Sequence, residues 1–465
     1  MSSTWLAADM LVRRPKSSFN EDHRVLEDGE FWRRLPGYRE VDEATFLDHR
    51  FQAKASVTRV DQLHSVLRET VSDAFYQAVE QALSRATMSI RLSPYVIALI
   101  DWENAERDPI RRQFLPMATH QLADHPMARL DSLNERQHSP VPGLTHRYRD
   151  KALFLTQDRC PVYCRFCTRS YAVGNDTDDV QKDKISAQLG RWELAFQYLR
   201  EHPEVEDVII SGGDSYSLRE DQIRLIGNTL LDMPNIRRMR FATKGLAVLP
   251  MKVLTDDGWF GALVDLNKRA RKMHKEIAIH THVNHPREIT DITRRAAGRL
   301  FEEGIIVRNQ TVLLRGVNDD PDMMRLLVKR LGFVQIQPYY VFQHDLVRGV
   351  EDLRTSLGTA IELEKQTRGS TAGFHSPMFV LDTPGGGGKR DVHAYEHYNS
   401  VTGVSVFRSP NLSPTGRYLY FDPIDSLPEE GQERWARPEE HERIVAEALI
   451  AGGGDAERLI LAAAE

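Results

Sequence analysis

All three cysteines of this chain fall in one short stretch, RCPVYCRFC, at Cys160, Cys164 and Cys167, a CxxxCxxC spacing. Three thiolates on a tight loop can hold three irons of a four-iron four-sulfur cluster and leave the fourth iron open for substrate chemistry. The residues alone also admit a zinc site or a chance cluster of buried thiols, although zinc ordinarily takes a fourth protein ligand or a water. A second motif, PGGGGK, ends at Lys389. Four glycines can take positive φ and let the backbone approach a bulky ligand, and a desolvated lysine amine can form a Schiff base. Read by itself, such a run is more often a flexible loop. A third motif, SGGD, comprises Ser211, Gly212, Gly213 and Asp214. It could offer backbone groups and an acid to a ligand, and in isolation it is usually a turn. His280 and His282 alternate on one face of a strand, which fits either a metal pair or satisfied core histidines.

The elements that must position these residues follow from hydrophobic rhythm. Short apolar runs alternate with helix-length amphipathic segments from residue 151 onward, the pattern of βα units and a parallel sheet. The predicted strands are KALFLT (151–156), VEDVIIS (205–211), RRMRFAT (237–243), EIAIHTHV (276–283), IIVRNQTVLL (305–314) and VQIQPYYVF (334–342). Six strands with intervening helices predict an α/β fold, a partial (β/α)6 TIM-like barrel, because a full barrel needs eight. The cysteine loop then follows the first strand and SGGD ends the second. Residues 1–145 read as a helical N-terminal region, with amphipathic runs such as VDQLHSVLRETVSDAFYQAVEQAL. The barrel spans 146–390. The extension 391–465 reads as a Pro- and Ser-rich connection and then a helical tail broken near Gly452–Gly454. No internal repeat has a fixed period.

Composition narrows the function classes. With 465 residues and 41% hydrophobic content, the chain can bury a large core. Its 61 basic against 67 acidic residues give a net charge of −6 and no global field for nucleic acid, which favours small-molecule chemistry. An odd cysteine count argues against a disulfide framework and for a reducing compartment. Near the N-terminus, Asp9 interrupts the apolar stretch and Arg13-Arg14 follow it, the wrong order for a secretory signal. No run approaches the ~18 apolar residues of a membrane helix. A cytoplasmic protein without membrane contact is the expectation.

CxxxCxxC after the first strand of a parallel barrel resembles the radical S-adenosylmethionine superfamily. THRYRDKALFLTQDRCPVYCRFCTR (145–169), IISGGDS (209–215), HTHVNHPREIT (280–290), RNQTVLLRGVNDD (308–320) and LDTPGGGGK (381–389) together resemble the lysine 2,3-aminomutase family. The resemblance implies a four-iron four-sulfur cluster on Cys160, Cys164 and Cys167, with S-adenosylmethionine on its open iron, contacted by Ser211 to Asp214, His282 and Gln310. It implies pyridoxal 5′-phosphate on Lys389, with Arg147 and Lys151 at the phosphate. Arg169 matches the arginine that receives the substrate carboxylate, and Asp345 and Asp382 match the acids that receive the distal ammonium of lysine. A helix cap and a turn acid are the plain alternatives for those two aspartates. The activity implied is a radical 2,3-aminomutase acting on a basic amino acid, lysine before arginine, ornithine or glutamate. An electron donor such as flavodoxin or ferredoxin and a homo-oligomeric state go with it. A radical enzyme that modifies a macromolecule is the more distant alternative, against which GGGGK argues.

Departures from the family pattern are equally specific. The best-known lysine enzymes bind a structural zinc through cysteines after the GVND run and in the C-terminal segment. Here Asp320 takes the first position and no cysteine follows Cys167, so no structural zinc is expected. Lys151 stands where arginine is usual and Arg149 where proline is usual. SYAV follows Arg169 where relatives tend to carry more arginines, and the stretch DDGWFGALVDLNKRARKMHKE is longer than usual.

Overall fold

The computed structural model describes residues 22–454. Its central feature is a curled nine-stranded sheet in sequential order: β1 (Leu144–Tyr148), β2 (Lys151–Gln157), β3 (Asp207–Gly212), β4 (Arg238–Ala242), β5 (Glu276–Thr281), β6 (Ile306–Val312), β7 (Gln337–Phe342), β8 (Met378–Thr383) and β9 (Gly388–Asp391). Strands β2 to β8 are all parallel, while β1 and β9 pair antiparallel at the two edges. One helix packs between each successive parallel pair: Leu189–Glu201, Glu220–Asp232, Asp257–Lys272, Asp291–Glu302, Pro321–Phe333 and Leu357–Thr367. The fold is thus six βα units followed by a further parallel strand, an open half-barrel of the expected class. All six predicted strands form. Two short helices, Gly245–Val248 and Met251–Thr255, follow β4, and the long stretch DDGWFGALVDLNKRARKMHKE then forms Asp257–Lys272, which packs on β5.

N-terminal to β1 the described chain is helical, with only isolated bridges such as Val57 to Leu92. The amphipathic run breaks into Val60–Leu67 and Asp73–Leu83 at Arg68, whose φ of 51° ends the first helix. These helices share one continuous core with the barrel. Trp32 stacks on Phe46 at 4.0 Å, and buried Tyr95 hydrogen-bonds Thr290 at 2.8 Å across to a barrel helix.

The expectation of an irregular connection after residue 390 is corrected. That segment forms a three-stranded antiparallel sheet of β10 (Tyr395–Asn399), β11 (Val404–Ser409) and β12 (Ser413–Phe421), and SPNLSP is the turn joining its last two strands. The prolines and serines mark a hairpin bend, and the β-branched and aromatic residues on either side carry the strands. Helices Glu429–Trp435 and His441–Ala451 follow, and Trp435, Ile444 and Leu449 form a small core with Val404, Val406 and Phe421. The stretch MSSTWLAADMLVRRPKSSF, read against a secretory signal, and the end of the tail past 454 lie outside the described residues. Among those described, no helix is long and apolar enough to cross a membrane.

The C-terminal sheet braces the barrel edge through Tyr420, whose buried hydroxyl donates to the His344 carbonyl at 2.8 Å and accepts from Gln343 Nε2 at 2.9 Å. Removing that hydroxyl strands a buried donor and a buried acceptor. Tyr420→Phe is therefore expected to lose about 1–3 kcal/mol of stability, read as a lower guanidinium midpoint with unchanged slope.

Candidate active site

Parallel strands end on one edge, where the loops that leave them line one chamber, and a second adjoins it along the strands as far as Lys151 and Asp207, the first residues of β2 and β3. The smaller, of about 280 Å³, is lined by Cys160, Cys164 and Cys167 together with Ser211 to Asp214, His282 and Gln310. The larger, of about 880 Å³, holds Arg147 and Lys151. Arg169, Asp382 and Lys389 line both, and Asp345 lines the smaller. Every residue singled out from sequence reaches one chamber or the other.

The cysteine loop leaves β2 and is pinned from outside. Tyr163 N–H donates to the Arg91 carbonyl at 3.1 Å and Arg165 N–H to the Gln113 carbonyl at 2.9 Å. The Arg165 guanidinium forks onto Asp352 at 2.8 and 3.2 Å. The three thiols are free, and burial pushes each up, that of Cys164 to about 12. Burial disfavours the thiolate, and a bound metal would offset that cost. Among the described residues no group of three or more His, Cys, Asp or Glu converges on a single ion.

Facing them is the end of β3. Gly212 has φ of 125°, and a Cβ there would sit 2.2 Å from the Gln157 carbonyl oxygen. One on Gly213 would sit 2.3 Å from that of Arg159. The glycines therefore let β3 lie directly against the cysteine loop. Both carboxylate oxygens of Asp214 are committed to backbone, accepting from Tyr216 N–H and Lys244 N–H at 2.8 Å each. This acid braces the turn, and the backbone before it is tied to β2, the Ser211 carbonyl accepting from the Thr156 hydroxyl at 2.7 Å and the Gly213 N–H donating to the Gln157 carbonyl at 2.5 Å. His282 lies one residue beyond β5. Its Nε2 is buried without a partner, as is that of His280, whose Nδ1 contacts Gln310 Nε2 at 3.1 Å. Burial keeps both imidazoles neutral, His280 being lowered to about 3. Buried ring nitrogens without partners are groups that a polar ligand would satisfy.

At the other end, β8 and β9 pair so that Asp382 opposes Lys389, and Lys389 Nζ lies 2.8 Å from Asp382 Oδ2. The glycine run between them is a packed corner. A Cβ on Gly387 would lie 2.3 Å from the Tyr418 ring and one on Gly388 2.3 Å from the Tyr148 hydroxyl. That hydroxyl accepts the Lys389 N–H at 2.8 Å, which fixes the lysine backbone against β1. Burial opposes a charge on Lys389, yet Asp382 holds its pKa above the ordinary lysine value. Asp382 in turn resists burial and stays below the ordinary carboxylate range because Lys389 and Arg147 face it. Arg147 lies 3.8 Å from Asp382 Oδ1, and its Nε is buried and unpartnered, as is that of Arg390 in the same chamber. Those two donors fit a bound phosphate. Lys151 sits at the rim, on Asp150 at 2.8 Å.

Arg169 is not free. Its Nε and Nη2 fork onto Glu135 at 2.9 and 2.8 Å, and Tyr171 donates to the same carboxylate at 2.9 Å. Only the remaining edge of the guanidinium is open to a substrate carboxylate. Glu135 was not legible in the sequence: it lies in SLNERQ, far from any motif, and gains its place only when that segment folds under the barrel edge. Asp345 is neither a helix cap nor ion-paired. Its Oδ1 is buried and unpartnered, and burial, together with the charge of Asp382, raises its pKa to about 8. Asp382 is likewise no turn acid but a strand residue facing Lys389.

Because the folded protein holds Asp345 at about 8 against the ordinary 3.8, this group supports folding below about pH 4 and loses that contribution as pH rises toward 8. Asp345→Asn in the cofactor-free protein should therefore gain stability over the parent progressively between those pH values and by a constant amount above them. Chemical denaturation across pH checks this, and a pH-independent difference would refute the buried, unpaired acid.

A parallel half-barrel with a three-cysteine loop after its first parallel strand defines the radical S-adenosylmethionine class of enzyme. No protein-family model matches the chain. It is 35% identical over 362 residues to the L-lysine 2,3-aminomutase of Clostridium subterminale, covering 77% of this chain and 81% of that protein. To that of Bacillus subtilis it is 33% identical over 358 residues, 77% of this chain and 71% of the relative. The glutamate 2,3-aminomutase of Clostridioides difficile is 31% identical over 347 residues, 75% and 76% of the two chains. The chain belongs to the lysine 2,3-aminomutase family and is an isomerase of the aminomutase type.

Proposed function

We propose that this enzyme is a pyridoxal 5′-phosphate- and S-adenosylmethionine-dependent 2,3-aminomutase that converts L-lysine to β-lysine. The observation that carries the substrate choice is the pair of buried acids, Asp345 and Asp382, in one chamber with Arg169 and Lys389. Two carboxylates at one pocket end repel unless a cation stands between them. A distal ammonium there would restore the charge of Asp345, and it would replace the Lys389 ammonium beside Asp382 once that lysine engages the cofactor. Arg169, steadied by Glu135, offers its free edge to the substrate carboxylate. An acidic substrate would add a third carboxylate to the acid pair, which disfavours glutamate.

Three free thiols lining one chamber support a cluster on Cys160, Cys164 and Cys167, and the unpartnered His282 nitrogen in that chamber, with Ser211 to Asp214 beside it, supports S-adenosylmethionine there. Lys389 at the glycine corner, with Arg147 Nε unpaired nearby, supports pyridoxal phosphate. When bound, these groups supply the radical and the electron sink. The chain orients the substrate between charged anchors and keeps water and oxygen from the chamber.

The test is anaerobic reconstitution with iron, sulfide, both cofactors and a reductant, then incubation with lysine, arginine, ornithine and glutamate. Lysine should yield β-lysine. Asp345→Asn and Asp382→Asn should each lower kcat/KM for lysine by about two orders of magnitude, the cost of losing a buried charge partner. Lys389→Ala should abolish the absorbance of bound pyridoxal. A filled cluster and bound pyridoxal with no β-lysine, while another amino acid turns over, would overturn the lysine assignment.

A further inference from the structure

Three lysines are buried among the described residues, Lys182, Lys244 and Lys252. Lys244 pairs with Glu288 at 2.8 Å, and Lys252 faces Asp256 at 3.9 Å. Lys182, 6% exposed, has only neutral partners. Its ammonium donates to the backbone carbonyls of Thr87 and Ser170 and touches Met88 Sδ at 3.9 Å. Unlike the other two it forms no ion pair among the described residues. The nearest acids are exposed and turned to other groups: Asp176 accepts the Lys182 backbone N–H at 2.8 Å, and Asp179 pairs with Arg348 at 2.6 Å. Burying an ammonium without a counterion is costly, so this position suits an anion that the chain's own carboxylates do not supply.

The surroundings of the ammonium lead to the cysteine loop. Ser170, whose carbonyl holds it, donates its own N–H to the Cys167 carbonyl at 3.1 Å. Met88, the side chain in contact with it, packs with Tyr163 and Val173, and Cys160 and Cys167 lie against that cluster. Met88 lines the smaller chamber beside the three cysteines, whereas Lys182 stands behind it, outside the lining. Burial lowers the pKa of Lys182, and a Cys167 thiolate is foremost among the charges that oppose the shift, ahead of Asp176 and Asp179.

We propose that the Lys182 ammonium is a fixed countercharge to the iron-sulfur cluster, held behind Met88 and Cys167 so that it favours the cluster's reduced state. The inference rests on the reading of the three thiols as a cluster site. Reduction moves one electron from a reductant to the cluster, adds one negative charge there, and makes or breaks no bond. A positive charge held nearby in poorly solvated surroundings stabilises the reduced form more than the oxidised one, and local charge is one of the levers that set cluster potentials. Two carbonyls fix the ammonium and leave its charge intact, where a carboxylate partner would cancel it. Lys182 touches no reacting atom and is a positioning residue.

The experiment is a potentiometric titration of the anaerobically reconstituted enzyme, with dithionite as reductant and the reduced cluster read by EPR. Lys182→Gln keeps a donor for the carbonyls and drops the charge, and Lys182→Met drops both. At the parental midpoint potential, each should show a ratio of reduced to oxidised cluster about tenfold lower, a midpoint displaced downward by about 59 mV for a one-electron couple. Lys182→Arg should return the midpoint to near the parental value. A parental midpoint in both neutral variants would overturn the inference and leave the cluster reading standing, as would a Lys182→Arg midpoint as low as that of Lys182→Gln. Should the neutral variants hold no cluster, its return in Lys182→Arg would support the role of the charge, and its absence there too would overturn it. A parent enzyme that assembles no cluster would remove the cluster reading and this inference with it.

Discussion

Seven strands running the same way deliver all their C-terminal ends to one edge of the sheet, and the site depends on that constraint. Parallel strands need a crossover between each pair, so residues on adjacent strand ends are separated by a helix and two loops in sequence. The cysteine loop after β2, the glycines of β3, His282 after β5, Gln310 of β6, Asp345 after β7 and Asp382 of β8 are gathered by this rule alone. The last strand then departs from it. β9 turns back antiparallel, and that reversal carries Lys389 to the same edge, opposite Asp382.

Charge balance decides how the gathered groups behave. Glu135 is answered by Arg169, and Asp382 by Lys389 and Arg147. Asp345 has no such partner and is the acid whose ionisation the fold disfavours. Around the larger chamber seven basic side chains face four acidic ones, a balance suited to an anionic ligand. The same arrangement explains why one loop glycine cannot be exchanged for another residue at little cost: Gly387 and Gly388 bring the lysine strand against Tyr418 and Tyr148, and a side chain at either would push the ion pair out of register.

The folded protein is more unified than its sequence suggests. The helices before β1 share a core with the barrel, the turns that join them to β1 contribute Leu133 and Glu135 to the site, and the C-terminal sheet holds the Gln343–His344 segment through Tyr420. Strands β8 and β9 were hidden because FVLDT is short and flanked by proline and glycine, and the C-terminal sheet because its turn carries the prolines and serines that read as a connection.

By itself the sequence determined the parallel half-barrel, since hydrophobic period and β-branched runs are local signals that survive without knowledge of contacts. It also determined which residue types cluster at motifs: the three thiols, the glycine corner with its lysine, and the acids near β7 and β8. Only the tertiary structure decided their states. That Arg169 is held by Glu135, that Asp214 is spent on backbone amides, and that Asp345 is left unpaired all depend on neighbours distant in sequence. Ion pairing and desolvation act through space at a few ångströms, and a one-dimensional pattern carries no record of which charges come within that reach.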